Sequence, residues 1–129
     1  MVLGVGIDIA RVDRIQETLD RFGQRFLDRI FTPLEQEICL ARFRPASALA
    51  MRFAAKEAFS KAVGLGMQGL AWREIEVRHD QRGKPFLVLS GRAKEVAGRL
   101  GVASTFLSLT DEAGLGAAVV VLEGNGSQG

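Results

Sequence analysis

The chain has 129 residues, of which 47% are hydrophobic and 25% are charged, and its formal net charge at pH 7 is +2. This length predicts one compact domain and excludes folds that need two large lobes. The small net charge does not by itself indicate nucleic-acid binding. We find no apolar run long enough to span a bilayer and no export signal. The single cysteine, Cys39, has no partner for an internal disulfide. We therefore expect a cytoplasmic protein.

The first predicted element is a strand over residues 2–9, within "GVGIDIARVDRI". Because side chains alternate between the faces of a strand, its three branched apolar residues share one face, which we expect to be the core face. These are Val5, Ile7 and Ile9. The other face carries Gly4, Gly6 and Asp8, and bare backbone beside an acid is what a closely approaching ligand or metal needs. Two interpretations of Asp8 are open here: a ligand-binding carboxylate, or the N-cap of the following helix.

Three helices are predicted next. The first covers residues 10–30 and the third covers 46–63. The second is short: it starts after Thr32 and stops before Pro45. The first has apolar residues at three- and four-residue steps and is loosened at Gly23. In "TPLEQE", Thr32 is placed as N-cap and Glu35 completes a capping box. The third is rich in alanine and is closed by Gly64.

The remaining pattern predicts a glycine-rich loop, "GLGMQGLA", and then two hairpins separated by a short helix, "GRAKEVAGRLG". The first hairpin is "EIEVRHDQRGKPFLVLS", with its turn at "QRGK", and the second is "STFLSLTDEAGLGAAVVVLE". The last strand is almost entirely apolar, which predicts a central position. This order indicates an α+β fold with an antiparallel sheet packed against a long central helix. We expect a single domain over 1–123 and a flexible tail over 124–129.

A second acidic residue lies in "RFAAKEAFSKAVG". On a helix, Phe53, Glu57, Lys61 and Gly64 share one stripe. The neighbouring stripe carries Arg52, Lys56 and Ser60. Glu57 is either half of a surface Glu–Lys pair or a second ligand facing Asp8. Two carboxylates are too few to cage calcium or structural zinc, but they suit Mg²⁺, which takes its other oxygens from water and a substrate phosphate.

Together, "GIDI", "RFAAKEAFSKAVG", the "GKP" turn and "FLSLTDE" resemble the holo-acyl-carrier-protein synthases, the small bacterial 4′-phosphopantetheinyl transferases, over nearly the whole chain. The resemblance implies their fold and their reaction: 4′-phosphopantetheine moves from coenzyme A to a serine of apo-acyl carrier protein, in fatty acid biosynthesis, and adenosine 3′,5′-bisphosphate is released. It also implies a homotrimer with coenzyme A in clefts between subunits. Asp8 and Glu57 match the family's magnesium ligands, which favours the ligand interpretation of Asp8.

Other positions carry over by motif. The resemblance places Lys61 near the reacting phosphate, and the general base is either Glu57 acting through a metal-bound water or Lys61, which would need a lowered pKa. The implied coenzyme A-binding positions are Arg52, Phe53, Gly64, Gly66, Lys84 and Pro85. Many members have histidine where this chain has Asp111, and the single histidine, His79, matches no family site, so no imidazole is assigned to catalysis.

The first helix carries arginines at offsets of zero, three, ten and fourteen residues, which puts them on one stripe opposite its apolar face. They are Arg11, Arg14, Arg21 and Arg25. The stripe is either a solvated face or a rail for an acidic partner, and acyl carrier proteins are strongly acidic. The resemblance implies docking of the carrier protein, with Arg14, Arg21 and Arg25 as the partner-binding residues.

Two other function classes are considered. Sugar-kinase and actin-like nucleotide folds also open with a strand, a glycine and an aspartate, but they need two lobes that this length cannot supply. A non-catalytic nucleic-acid module would interleave basic residues with exposed aromatics. Here most aromatic residues have core-like spacing and tyrosine is absent.

Overall fold

The computed structural model describes residues 1–125, so residues 126–129 of the predicted tail lie outside the described part of the chain. Gly124, the first residue of that tail, is the last residue of a strand. Within residues 1–125, none of the helices combines the length and apolarity that a membrane crossing requires.

The described residues form five strands in two antiparallel sheets, and five α-helices. The strands are β1 (Val2–Arg11), β2 (Ile75–His79), β3 (Pro85–Leu89), β4 (Val102–Glu112) and β5 (Leu115–Gly124). The helices are α1 (Val12–Phe22), α2 (Gln24–Ile30), α3 (Pro33–Leu40), α4 (Pro45–Ala62) and α5 (Gly91–Arg99). The larger sheet has the order β1–β5–β4, and β2 pairs with β3. The α+β prediction is confirmed, and the apolar strand β5 is central as expected.

Helix α4 packs against the larger sheet through β1 and β5, and its residues Leu49 and Phe59 are fully buried. The approach is close because β1 has glycines under the helix. A Cβ at Gly4 would overlap the carbonyl oxygen of Ala62, and one at Gly6 would overlap that of Ala58. The idea that these glycines leave room for a ligand is therefore wrong: the space they leave is filled by the backbone of α4.

The prediction of which face of β1 is buried is also wrong. Val5, Ile7 and Ile9 are 59%, 64% and 59% exposed. Alternation separates the two faces of a strand but does not say which one a helix covers, and here α4 covers the glycine face because only that face lets its backbone approach. Cross-strand neighbours extend the exposed apolar surface over all three strands, and we call it the open sheet face. It consists of the exposed Val5, Ile7, Ile9 and Phe106 and the half-buried Val119 and Val121 of the central strand.

The boundaries of the first elements differ from the prediction in two respects. β1 continues to Arg11, which is the N-cap of α1, so Asp8 does not cap a helix. The single helix predicted over 10–30 is divided at Gly23, whose φ of 54° ends α1 and begins α2. The capping box of Thr32 and Glu35 is confirmed at the start of α3.

A buried ion pair joins α3, α4 and β2. Lys56 Nζ lies 2.8 Å from Glu35 Oε1 and also donates to the carbonyl oxygens of Ile75 (2.6 Å) and Trp72 (3.1 Å), and both charged side chains are fully buried. Glu35 Oε2 accepts the backbone N–H of Val77 at 2.8 Å. Each charge is thus compensated and hydrogen-bonded, which is the condition for burying an ion pair without leaving polar atoms unsatisfied. The sequence placed Lys56 beside the acidic stripe without indicating this burial.

Candidate active site

Strand β1 and helix α4 bring Asp8, Glu57 and Lys61 together. Lys61 Nζ donates to Asp8 Oδ1 at 2.8 Å and to the carbonyl oxygen of Ile7 at 3.2 Å. The Asp8 side chain is 17% exposed and that of Lys61 is 51% exposed, so the contact lies at the edge of the helix–sheet interface. Lys61 therefore pairs across to Asp8 and does not form the surface pair with Glu57 that was the alternative interpretation.

The charges of these three groups act on one another. The pKa of Glu57 is raised, first by partial burial and then by the neighbouring charge of Asp8, while Lys61 opposes the shift. The pKa of Lys61 is raised by its hydrogen bond to Asp8 and by that carboxylate's charge. A raised pKa keeps Lys61 protonated at neutral pH, so the condition for Lys61 to act as general base, a lowered pKa, is not met.

The metal-binding capacity of the site is limited to two protein ligands. Across residues 1–125 there is no group of three or more histidine, cysteine, aspartate or glutamate side chains placed to share an ion. Asp8 and Glu57 nevertheless fit Mg²⁺, because it retains water and takes substrate phosphate oxygens in place of further protein ligands. A cation between them would also offset the repulsion that contributes to the shift of Glu57.

The loop after α4 starts beside this site. Gly64 and Gly66 have φ values of +83° and +64°, a region that favours glycine. The N–H groups of Leu65 and Gly66 both donate to the carbonyl oxygen of Ser60 at 3.1 Å, which turns the chain back directly after Lys61. The loop that carries the implied coenzyme A-binding positions Gly64 and Gly66 is thus continuous with α4 and its charged site.

Phe53 lies on the same stripe of α4 and borders the arginine-bearing helices. Its ring stacks on Trp72 with centroids 4.9 Å apart and an interplanar angle of 21°. Phe53 and Arg14 line one cavity of about 440 Å³, and Arg25 and Trp72 line a second cavity of about 360 Å³. Arg21 is exposed and lies over the ring of Phe22 at 5.2 Å. Arg14 and Arg25 therefore rim apolar cavities, and all three arginines are accessible to a partner.

Arg52 lies on a different face of α4, because a helical separation of five residues from Glu57 corresponds to about 140° around the axis. The side chain is 2% exposed. Its Nη1 donates to the carbonyl oxygen of Ala48 at 3.1 Å, and its Nη2 lies 3.4 Å from His79 Nδ1. In the described part of the chain its Nε has no hydrogen-bond partner and its charge has no carboxylate partner.

Lys84 and Pro85 lie near His79 in the β2–β3 hairpin. Pro85 is the register partner of His79. Across the turn, the carbonyl oxygen of the exposed Lys84 accepts the backbone N–H of Asp80 at 2.9 Å, and the backbone N–H of Lys84 donates to Asp80 Oδ1 at 2.9 Å. The predicted coenzyme A-binding positions therefore fall into two groups in one chain. One group lies on the Glu57 stripe of α4 and in the loop after it and contains Phe53, Gly64 and Gly66. The other lies around His79 and contains Arg52, Lys84 and Pro85.

Asp111 lies elsewhere, exposed near the end of β4, and lines a cavity of about 560 Å³ with Phe43 and Arg44. Sequence reasoning missed two residues that contact the predicted positions: Trp72, which stacks on Phe53, and His79, which contacts Arg52. Period-two alternation from the buried Ile75 and Val77 could have placed His79 on the inward face of β2. No pattern indicated Trp72, because it lies in a short 3-10 turn.

The fold and this pairing of strand and helix carboxylates define a class of transferases. The chain belongs to the 4′-phosphopantetheinyl transferase superfamily, whose family model matches residues 4–119. It is 52% identical over 124 residues to the holo-acyl-carrier-protein synthase of Trichlorobacter lovleyi, covering 95% of this chain and 98% of that protein.

Solved structures agree with this assignment. The crystal structure of the holo-acyl-carrier-protein synthase from Neisseria meningitidis superimposes with a TM-score of 0.87 at 41% identity, covering 95% of this chain and 99% of that one. The enzyme of Helicobacter pylori, solved in complex with coenzyme A, gives a TM-score of 0.82 at 33% identity, covering 92% of this chain and 99% of that one.

Proposed function

We propose that this chain transfers the 4′-phosphopantetheine arm of coenzyme A to a serine of apo-acyl carrier protein, in the cytoplasm and in fatty acid biosynthesis, and releases adenosine 3′,5′-bisphosphate. Relatives named for this activity match along almost the entire chain, and one of them is solved with coenzyme A bound. The observation that carries the proposal is the junction of Asp8, Glu57 and Lys61, since it combines an anionic pair with a cation that stays charged.

Asp8 and Glu57 are the residues that would hold Mg²⁺, which when bound supplies charge neutralisation for the pyrophosphate of coenzyme A. Lys61 remains protonated and stabilises negative charge that develops on the transferred phosphate. Glu57 accepts the proton of the attacking serine through a water molecule, since Lys61 stays protonated and is not free to act as the base.

The carrier protein docks on α1 and α2 through Arg14, Arg21 and Arg25. All three side chains are exposed. Arg14 shares a cavity with Phe53, and Arg25 shares one with Trp72, which stacks on Phe53. Attraction between these arginines and an acidic partner steers it toward the site and falls with added salt.

A homotrimer accounts for two further observations. The open sheet face leaves large apolar side chains such as Ile7 and Phe106 exposed, and a second copy of the chain is the occupant we assign to it. In addition, the coenzyme A-binding positions fall into two groups, one on α4 and the loop after it and the other around the β2–β3 hairpin, as expected for a site to which neighbouring copies contribute different residues.

Phe106→Glu tests this assembly, with Phe43→Glu as the matched control because Phe43 is 95% exposed and lies outside the open sheet face. Light scattering should give a trimer mass for the wild type and for Phe43→Glu, and a monomer mass for Phe106→Glu. A monomeric wild type, or an intact trimer in Phe106→Glu, would contradict the assignment.

The catalytic assignment is tested by measuring release of adenosine 3′,5′-bisphosphate from coenzyme A in the presence of Mg²⁺ and apo-acyl carrier protein. Asp8→Ala and Glu57→Ala should each lower the turnover by about 100-fold or more, because each removes charge that the transition state requires. Asp13→Ala is the control, since this exposed acid pairs only with Arg11 in the described residues. Wild-type turnover in either site variant would exclude the metal assignment, and a large fall in melting temperature without ligand would indicate a structural role.

A further inference from the structure

Lys61 is a cation of the chain itself that is held at the carboxylates assigned to the metal. Its Nζ donates to Asp8 Oδ1 at 2.8 Å and to the carbonyl oxygen of Ile7 at 3.2 Å. The two acceptors belong to consecutive residues of β1, whereas the amine comes from α4, so the contact joins the helix to the strand. One oxygen of Asp8 is therefore already paired with a positive charge.

The ammonium and a divalent cation are attracted by the same negative charge. The charge of Asp8 raises the pKa of Glu57 and the charge of Lys61 lowers it, so the three groups interact electrostatically. Paired with Asp8, the ammonium cancels half of the negative charge of the two carboxylates. A divalent cation that joins the two acids meets this positive charge at the same carboxylate, and like charges repel.

The side chain of Lys61 is free to leave Asp8 at little cost. It is 51% exposed, so water replaces the carboxylate when the contact opens, and exposed ion pairs contribute little to stability. The ammonium is a compact charge on a flexible four-carbon stem. Lys56 on the same helix shows the contrast, because it is fully buried and fixed by Glu35 and by two carbonyl oxygens.

We propose that Lys61 competes with the divalent cation for Asp8: the ammonium leaves this carboxylate when the cation binds, and the pyrophosphate of coenzyme A becomes its new partner. The inference rests on the proposed function, because that function makes Mg²⁺ and coenzyme A the ligands. Lys61 thus lowers the affinity of the chain for the cation alone, and coenzyme A relieves this competition. By reciprocity, the cation raises the affinity for coenzyme A by the factor that coenzyme A raises the affinity for the cation, so the two ligands bind together.

Removal of the ammonium separates the competition from the contacts between metal and phosphate. In Lys61→Met, Asp8 is available to the cation from the start, so this variant should bind the cation alone more tightly than the wild type does. Couplings between two sites are typically about 5–150-fold, and we expect a gain of about tenfold. With coenzyme A bound, Lys61 has left Asp8 in the wild type as well, so the advantage of Lys61→Met should disappear.

Mn²⁺ is the probe, because it prefers the same carboxylate, phosphate and water oxygens as Mg²⁺ and its unbound form is measured directly by electron paramagnetic resonance. Dissociation constants are measured for the wild type and Lys61→Met, each with and without saturating coenzyme A. Carrier protein is omitted so that no transfer takes place, and a blank with coenzyme A alone corrects for Mn²⁺ held by the nucleotide in solution. Lys94→Met is the matched control, because it removes an exposed lysine of α5 outside the site and should bind Mn²⁺ as the wild type does.

Equal Mn²⁺ affinities of wild type and Lys61→Met in the absence of coenzyme A would overturn the proposal. A gain of the same size with coenzyme A bound, or in Lys94→Met, would overturn it too, since the gain would then reflect net charge and not competition at Asp8. In each of these cases, transfer by the wild type would leave the proposed function standing. If Mn²⁺ binds to none of the proteins even with coenzyme A bound, the metal assignment of the proposed function fails together with this proposal.

Discussion

Replacement of Lys56 by methionine tests the buried ion pair. The change keeps a long flexible side chain but removes the donor that serves Glu35 and the carbonyl oxygens of Trp72 and Ile75. Glu35 is fully buried and would then be an uncompensated carboxylate. Removing one partner of a buried pair costs about 3–5 kcal/mol.

This free energy converts to a melting temperature through the entropy of unfolding. For 129 residues the entropy is about 0.27 kcal/mol per kelvin, so Lys56→Met should melt about 11–18 °C below the wild type. Lys61→Met is the matched control on the same helix: its amine is half exposed, and an exposed pair contributes about 1 kcal/mol or less. The expected loss for the control is therefore no more than about 4 °C.

Thermal unfolding followed by circular dichroism at one protein concentration gives both values. The double variant Lys56→Met with Glu35→Gln should melt above Lys56→Met alone, because the uncompensated charge is gone. If Lys56→Met melts no lower than Lys61→Met, the buried pair does not stabilise the fold as described.

Three other predictions concern packing, thiol reactivity and docking. Gly6→Ala should lower the melting temperature strongly, because the added Cβ would overlap the backbone of α4. In the control Gly98→Ala, in α5, the added Cβ meets no atom within 4 Å, so this change should be neutral or stabilising. Equal changes in melting temperature for the two variants would contradict the close packing of α4 on β1. Cys39 is fully buried, and burial raises its pKa to about 11. At pH 8 the thiol should therefore be alkylated rapidly in the denatured protein and slowly in the folded protein. Equal alkylation rates in the folded and denatured protein, measured by mass spectrometry, would contradict this. The double variant Arg14→Glu with Arg21→Glu should raise KM for apo-carrier protein and leave KM for coenzyme A nearly unchanged. Its affinity for the carrier protein should also depend less on salt concentration than that of the wild type. An equal salt dependence in the wild type and the double variant, or a matching loss of coenzyme A affinity, would mean that the arginine stripe is only a solvated face.

Local patterns predicted the elements of this fold well. Capping chemistry located the start of α3, the alanine-rich run located α4, and the apolar run of β5 indicated its central position. These features depend on residues close together in the chain, so the sequence displays them directly. The proximity of Asp8 to the stripe of Glu57 was one of two alternatives that helical spacing left open, and the family resemblance favoured it.

What the sequence did not show depends on contacts between distant segments. The buried face of β1 was assigned wrongly because alternation is symmetric, and the close approach of α4 to Gly6 decides between the faces. The burial of Lys56 and Arg52 was missed for a related reason: on the sequence they resemble solvated helix residues, and their partners, Glu35 and His79, lie 21 and 27 residues away along the chain.

The mass of the carrier protein tests the central claim most directly. Apo-acyl carrier protein incubated with this chain, coenzyme A and Mg²⁺ should gain the mass of one phosphopantetheine group on its serine, with adenosine 3′,5′-bisphosphate formed in equal amount. The gain should be lost with Glu57→Ala and when the divalent cation is chelated. An unmodified carrier protein with the wild-type chain, or full modification by Glu57→Ala, would contradict the account.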